Sequence, residues 1–230
     1  MARKGEVALH SELFAASCEA GGAAAALALA IDDWRHTPRG EGQEVTDRRG
    51  VLWVQTREAA RLAGQPYRAG LPKDLRGRLI HVLANRTEDA LFALEEGLRC
   101  RDLAFVIGEI AANPRALDFT ASRRLTLAIE KHGVPLFLVR LDAERDLSSA
   151  RMRWEVASAP SAPPRWNAQA PGTPQWRAEL FRARNHAPGE WLLHEMDGKL
   201  QALRSRKADN DAAGMNWTAG LQRRRLLRGG

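Results

Sequence analysis

The chain has 230 residues, 44% hydrophobic and 27% charged, which is enough for one domain with a full core. No apolar run reaches the roughly 20 residues of a membrane span. The polar start Met1-Ala2-Arg3-Lys4-Gly5-Glu6 does not read as a secretory leader, and Cys18 and Cys100 supply neither a disulfide framework nor a metal quartet, so a cytoplasmic protein away from membranes is expected.

The net charge of +7 rests on 30 Arg and 5 Lys, and much of the excess sits at the end, where residues 201–230 hold seven basic and two acidic side chains. A basic protein invites a nucleic-acid reading, but only region by region.

In chain order, Glu12-Leu13-Phe14-Ala15 reads as a first strand, and Gly21-Gly22 opens an alanine-rich helix through about Trp34. Residues 38–50, rich in Gly, Glu and Arg, read as an exposed loop. Apolar runs then begin at Val51, Leu79, Leu103 and Val134, at intervals of 28, 24 and 31 residues. Nearly continuous aliphatic runs suit parallel strands buried on both faces, and the spacing is that of a strand plus a crossover helix. Thr87 is the expected N-cap of one such helix, with Leu91, Leu94 and Leu98 on its apolar face. A second runs from about Thr120 to His132, stopped by Gly133.

After Arg140 the pattern changes. Trp154-Glu155-Val156 reads as a short strand, and five prolines between Pro160 and Pro174 exclude helix and central strand. Trp176 to Arg184 and Glu190 to Met196 form a hairpin around Ala187-Pro188-Gly189, with a turn at Asp197-Gly198. The whole is an α/β fold with a mostly parallel sheet flanked by helices. Residues 1–200 form its domain and residues 201–230 a disordered basic tail.

In such a fold the first strand–turn–helix is where a phosphate-binding loop would lie. Its working form needs a lysine for the β- and γ-phosphates and a Ser or Thr for Mg²⁺. Here that segment is Ala16-Ser17-Cys18-Glu19-Ala20-Gly21-Gly22-Ala23-Ala24, and no lysine occurs between Lys4 and Lys73. Glu19 would aim a negative charge at the anion, while Gly21 and Gly22 keep the turn. Glu109, after Leu103 to Ile107, stands roughly where a metal- or water-positioning acid would sit, but a buried acid near a strand end is also common. The six histidines show no metal-ligand spacing, and His81 reads as a hydrogen-bonded core residue. No G-x-S-x-G elbow or nucleophilic cysteine motif is present. A non-enzyme without metal or cofactor is expected.

Residues 151–184 carry Arg151, Arg153, Arg165, Arg177, Arg182 and Arg184 with Trp154, Trp166 and Trp176 among them, against two acids, Glu155 and Glu179. Arginines for phosphates and aromatics for bases are what single-stranded nucleic acid requires. The competing reading is packing: alternation puts Trp176, Ala178, Leu180 and also Arg182 on one face with Arg177, Glu179, Phe181 and Ala183 on the other. The tail Arg223-Arg224-Arg225-Leu226-Leu227-Arg228 has three readings: a solvated end, a DNA arm, or a partner-binding segment.

Several blocks together resemble the ImuA family: Val51-Leu52-Trp53-Val54-Gln55, Ala93 to Cys100, Val106-Ile107-Gly108-Glu109, Leu117 to Leu125, Arg153-Trp154, Ser161-Ala162-Pro163-Pro164, Pro171-Gly172 and Trp176 to Arg184. Their order and spacing cover roughly residues 9–200. The resemblance implies a RecA-like fold that has lost its nucleotide loop. It also implies a role in SOS-induced, error-prone translesion DNA synthesis beside an ImuB-like protein and a DnaE-type polymerase. RecA-fold protomers pair edge to edge, so the resemblance makes RecA a further expected partner and single-stranded DNA a secondary one. SulA-like cell-division inhibitors share the fold group, so an inhibitor acting by protein binding is the alternative, and a cryptic ATPase stays open as a third class.

Overall fold

In a computed structural model the aliphatic runs become the middle of one ten-stranded sheet, in the order β10-β9-β8-β7-β6-β1-β5-β4-β2-β3. The structure describes residues 9–19, 21–36, 47–161, 163–184, 187–196, 199–204 and 217–218. The strands are β1 (His10–Ala15), β2 (Gly50–Thr56), β3 (Leu79–Ala84), β4 (Leu103–Ala111), β5 (Leu136–Leu141), β6 (Met152–Ala159), β7 (Gln175–Ala183), β8 (Gly189–Met196), β9 (Lys199–Arg204) and the two-residue β10 (Trp217–Thr218). The helices are α1 (Gly21–His36), α2 (Arg57–Ala63), α3 (Lys73–Arg76), α4 (Thr87–Arg99) and α5 (Phe119–His132).

Strands β6, β1, β5, β4, β2 and β3 are mutually parallel, while β7 to β10 are added antiparallel. The expected mostly parallel sheet and C-terminal hairpin are both present. Every residue of β4 and β5 is buried, as their unbroken apolar runs require. β3 departs from that expectation. It is the sheet's edge, so Ile80 is exposed and His81 only half-buried.

Helices cover both faces. One apolar layer packs α1, α2 and α3 on Leu13, Trp53, Phe105, Ile107 and Val139, and continues under Trp154, Trp176, Leu180, Trp191 and Leu193. The other packs α4 and α5 on Leu52, Val54, Val106, Ile110, Leu136 and Leu138. Each buried leucine of these layers contributes about 1.5–3 kcal/mol. Past β1 no described helix covers the α5 side, and the alternate residues Glu155, Arg177, Glu179 and Phe181 are more exposed than their neighbours.

Local signals explain the boundaries. Thr56 caps α2 by accepting the Ala59 N–H (3.2 Å), and Asp118 caps α5 through the Ala121 N–H (2.7 Å). Gly133 ends α5 at φ 81°, a left-handed conformation that suits glycine. Thr87 is not a cap: it is the first residue of α4, and Arg86 holds the cap position without a side-chain bond. β9 runs across residue 200, so the sheet continues through the boundary drawn from composition. The Asp197-Gly198 turn lies outside the described residues, and of the tail, residues 201–204, which are in β9, and Trp217–Thr218 are described.

Candidate functional site

A crevice of about 300 Å³ opens at the carboxyl ends of β1, β5 and β6, ahead of α1, lined by residues that include Glu19, Asp142, Arg145 and Glu155. Ligands of open α/β sheets bind in crevices of this kind. Gly22 lets α1 sit tight on the sheet, since a Cβ there would stand 2.5 Å from the Ala15 Cβ and 3.2 Å from the Val139 Cγ1. The Glu19 carboxylate accepts the Ser158 backbone N–H at 2.7 Å, and a Cβ on Gly21 would come within 2.8 Å of the Ser158 Oγ. Asp142, in the left-handed region at φ 49°, accepts the Ser17 N–H at 2.8 Å. Bonds from Ser158 and Ser17 hold both carboxyls below their ordinary range, so both are charged at neutral pH. Arg145 is already paired with Glu155 and Glu179. Three carboxylates and one committed arginine repel a polyphosphate.

Glu109 lies inside β4, not at its end. Its Oε1 accepts the Trp53 indole N–H (2.5 Å) and the Gln55 amide (3.0 Å), while Oε2 has no partner. Burial pushes its pKa up to about 7. The Gln55 amide also donates to the Gly64 carbonyl, and its oxygen is bonded to the His81 Nε2 at 2.9 Å. His81 is therefore hydrogen-bonded as expected, with burial lowering its pKa. Among the described residues no three His, Cys, Asp or Glu side chains gather as metal ligands would.

The Arg/Trp stretch divides. Arg153 and Trp154 are core residues, out of reach of any nucleic acid. Arg153, 3% exposed, donates through Nε to Glu12 Oε2 at 2.8 Å on the adjacent strand. Fully buried Arg140 pairs with Asp146 (3.2 Å) and lies 3.9 Å from Glu12, while Ser148 donates to Glu12 Oε1 (2.7 Å). The Phe14 ring lies against both guanidiniums, at 5.5 Å from Arg140 and 4.9 Å from Arg153. The Trp154 ring meets Trp191 edge-on at 5.7 Å, and Trp176 is buried with Ala178 and Leu180, as alternation predicts. Arg165 and Trp166 are exposed in the proline-rich connection, and Arg177 faces Glu190 at 3.7 Å.

The other three arginines converge. Arg151, Arg182 and Arg184 line a groove of about 540 Å³ beside α5, joined by Phe119, Arg123 and Glu130. Its base is tied together: Arg151 N–H donates to the His10 carbonyl (2.9 Å), and Arg184 N–H to the Arg151 carbonyl (3.2 Å). Its floor is a chain of hydroxyls. Ser149 is bonded to Thr126 (2.6 Å) and Ser122 (3.0 Å), Ser122 to Ser148 (2.9 Å), and Thr126 to the His10 Nδ1 (2.8 Å). Burial lowers His10 to a pKa of about 4, so it is neutral there. Arg151 pairs with Glu130 (2.5 Å). Arg123, Arg182 and Arg184 are exposed and form no ion pair among the described residues.

Phe119 and Arg123 escaped the sequence reading because they lie on a helix assigned by its apolar face. Their outward position and the serines before Arg151 were the available signals. Arg223, Arg224, Arg225, Leu226 and Leu227 lie outside the described residues, as does the residue before Gly21. No described helix is long and apolar enough to cross a membrane.

No family model matches the sequence. Two curated relatives do. Protein ImuA from each of two strains of Caulobacter vibrioides is 36% identical over 185 residues, covering 74% of this chain and 72% of the relative. That identity extends across most of both proteins, so the chain belongs to the ImuA family.

Proposed function

We propose that this protein is a non-catalytic adaptor of SOS-induced, error-prone translesion synthesis. It acts in the cytoplasm with an ImuB-like protein, a DnaE-type polymerase and RecA. In this reading the fold is a RecA-like one whose nucleotide position has been given up. The observation that carries it is the carboxylate-lined crevice ahead of α1, where Glu19 is bonded to the Ser158 N–H and no lysine is among the described lining residues. A site that must stabilise phosphate charge needs the opposite electrostatics. What remains is a rigid sheet with surfaces for protein partners.

The test is a pull-down of purified chain with the ImuB-like protein and with RecA, each with and without single-stranded DNA. Capture of at least one partner is expected; capture of neither sinks the adaptor. Equilibrium dialysis with labelled ATP is expected to show no binding, and binding lost on Glu109→Gln would make the protein a nucleotide-dependent enzyme instead. Filamentation on overexpression without partner capture would favour the inhibitor reading.

A further inference from the structure

The groove beside α5 gathers exposed arginines that have no carboxylate partner among the described residues. Several exposed arginines elsewhere sit near carboxylates, Arg145 by Glu155 and Glu179, Arg124 by Glu95 and Arg177 by Glu190, while Arg165 is exposed in the proline-rich connection. In the groove Arg123 comes from α5 and Arg182 and Arg184 from the end of β7 and just beyond, and all three are exposed and without an ion pair among the described residues. Only Arg151 is neutralised, by Glu130. The floor hydroxyls of Ser148, Ser149 and Thr126 are bonded to one another's neighbours, to Glu12 and to His10. A pocket for one small buried anion would converge vacant donors at its bottom. This groove does the reverse: its donors are spent at the bottom and free on the walls. Wall cations on two separate elements match a polyanion lying along the groove. Phe119, 53% exposed and lining the same groove, presents a ring that a base can stack on.

We propose that this groove holds single-stranded DNA, with Arg123, Arg182 and Arg184 on the phosphodiester backbone and Phe119 stacked on a base. The choice of DNA as ligand rests on the function proposed above; the groove's chemistry does not. Arg153, Trp154 and Arg177 take no part, since the first two are buried and the third faces Glu190.

The experiment is fluorescence anisotropy of a labelled oligo-dT with the full chain, across roughly 50 to 200 mM salt. Arg123→Ala/Arg182→Ala/Arg184→Ala is expected to weaken binding at least 10-fold and to flatten the salt dependence by about 2 in log–log slope, at about 0.7 per phosphate contact. Phe119→Ala should weaken it several-fold with the slope unchanged, and Phe119→Trp should retain it. The variants' melting temperatures should match the parent's, because all four side chains are exposed. Unchanged affinity and slope in the triple variant would overturn the proposal. So would loss that follows Arg223→Ala/Arg224→Ala/Arg225→Ala instead, or competition by polyglutamate as strong as by unlabelled oligo-dT. Capture of the ImuB-like protein by a parent chain that binds no DNA would refute the groove and leave the adaptor standing. DNA binding through the groove without partner capture would do the converse.

Discussion

The crevice ahead of α1 and the groove beside α5 are built from the same connection, residues 142–151, and carry opposite electrostatics. Asp142 and Arg145 face the crevice, and Ser148 to Arg151 face the groove. In the crevice each described charge has found a partner: Glu19 has the Ser158 N–H, Asp142 the Ser17 N–H, and Arg145 two carboxylates. In the groove three arginines have none among the described residues. A self-satisfied site resembles a structural joint, whereas unspent exposed charge is where a partner's opposite charge can still gain energy. An α/β sheet ordinarily keeps its ligand at the strand ends. Here acids line the strand-end crevice, and the arginines without ion pairs among the described residues stand at the rim of the helical layer.

The most damaging test of the comparison is to break what both sites share. Buried Glu12, Arg140, Ser148 and Arg153, with half-buried Asp146, form a polar cluster that anchors the 142–151 connection to β1 and β6. Removing one partner of a buried pair strands the other's charge. Arg153→Ala is therefore expected to cost about 3–5 kcal/mol by denaturant unfolding and to weaken the anisotropy signal as well, though Arg153 is buried and does not line the groove. A loss below 1 kcal/mol would mean the two sites are independent.

The next effect is a pH dependence with two limbs. Glu109, with its pKa raised by burial from 4.5 to about 7, favours folding when protonated. Its contribution is full below pH 4.5 and lost as pH rises through 7, about 3 kcal/mol in all. His10, under the groove floor and lowered from 6.5 to about 4, favours folding when neutral. Its contribution is full above pH 6.5 and lost as pH falls through 4, again about 3 kcal/mol. The two limbs run in opposite directions over the shared window of pH 4.5 to 6.5 and nearly cancel, so unfolding curves from pH 4 to 9 should be almost flat in these two groups. Glu109→Gln should uncover the His10 limb, a rise of about 3 kcal/mol between pH 4 and 6.5, and a variant as flat as the parent would place the titration elsewhere. The crevice carboxylates, lowered by their N–H donors, belong to neither limb above pH 5.

Gly22→Ala should cost about 1–3 kcal/mol, because its Cβ would meet the Ala15 Cβ and the Val139 Cγ1 with no flexible chain end to yield. Thermal unfolding reads it. The groove should keep its affinity, since α1 lies on the opposite layer.

Much of this architecture is legible residue by residue, and what is not has one physical cause. The β4 and β5 runs, the α5 face ending at Gly133, and the alternation of Trp176, Ala178 and Leu180 are local patterns, each decided by periodicity. Arg153 looks solvent-exposed in sequence because its partner, Glu12, is 141 residues away on a strand whose pairing with β6 no local signal announces. The groove has the same origin. Arg123, Arg151 and Arg182 come from three segments, and only the parallel β1–β6 pairing and the antiparallel β6–β7 pairing set them around one trough. The crevice was more readable, since Glu19, Gly21 and Gly22 adjoin and the absence of a lysine is a sequence fact.

The smallest expected effect separates the two sites most cleanly. Arg145 stacks on the Phe181 ring at 3.9 Å and bridges Glu155 and Glu179, but the whole cluster is substantially exposed. Exposed bridges are screened by water and salt, so Arg145→Ala should change stability by less than about 1 kcal/mol. Its electrostatic consequence is local. The crevice loses the one arginine among its described lining residues and becomes more acidic, while the groove keeps its cations. Oligo-dT affinity at about 150 mM salt should therefore stay within 2-fold of the parent, because Arg145 is not among the groove's lining residues and salt screens its exposed charge. A drop comparable to that of the groove triple variant would show that nucleic acid runs across the crevice as well, and the division between a closed site and an open one would have to be redrawn around residues 142–151.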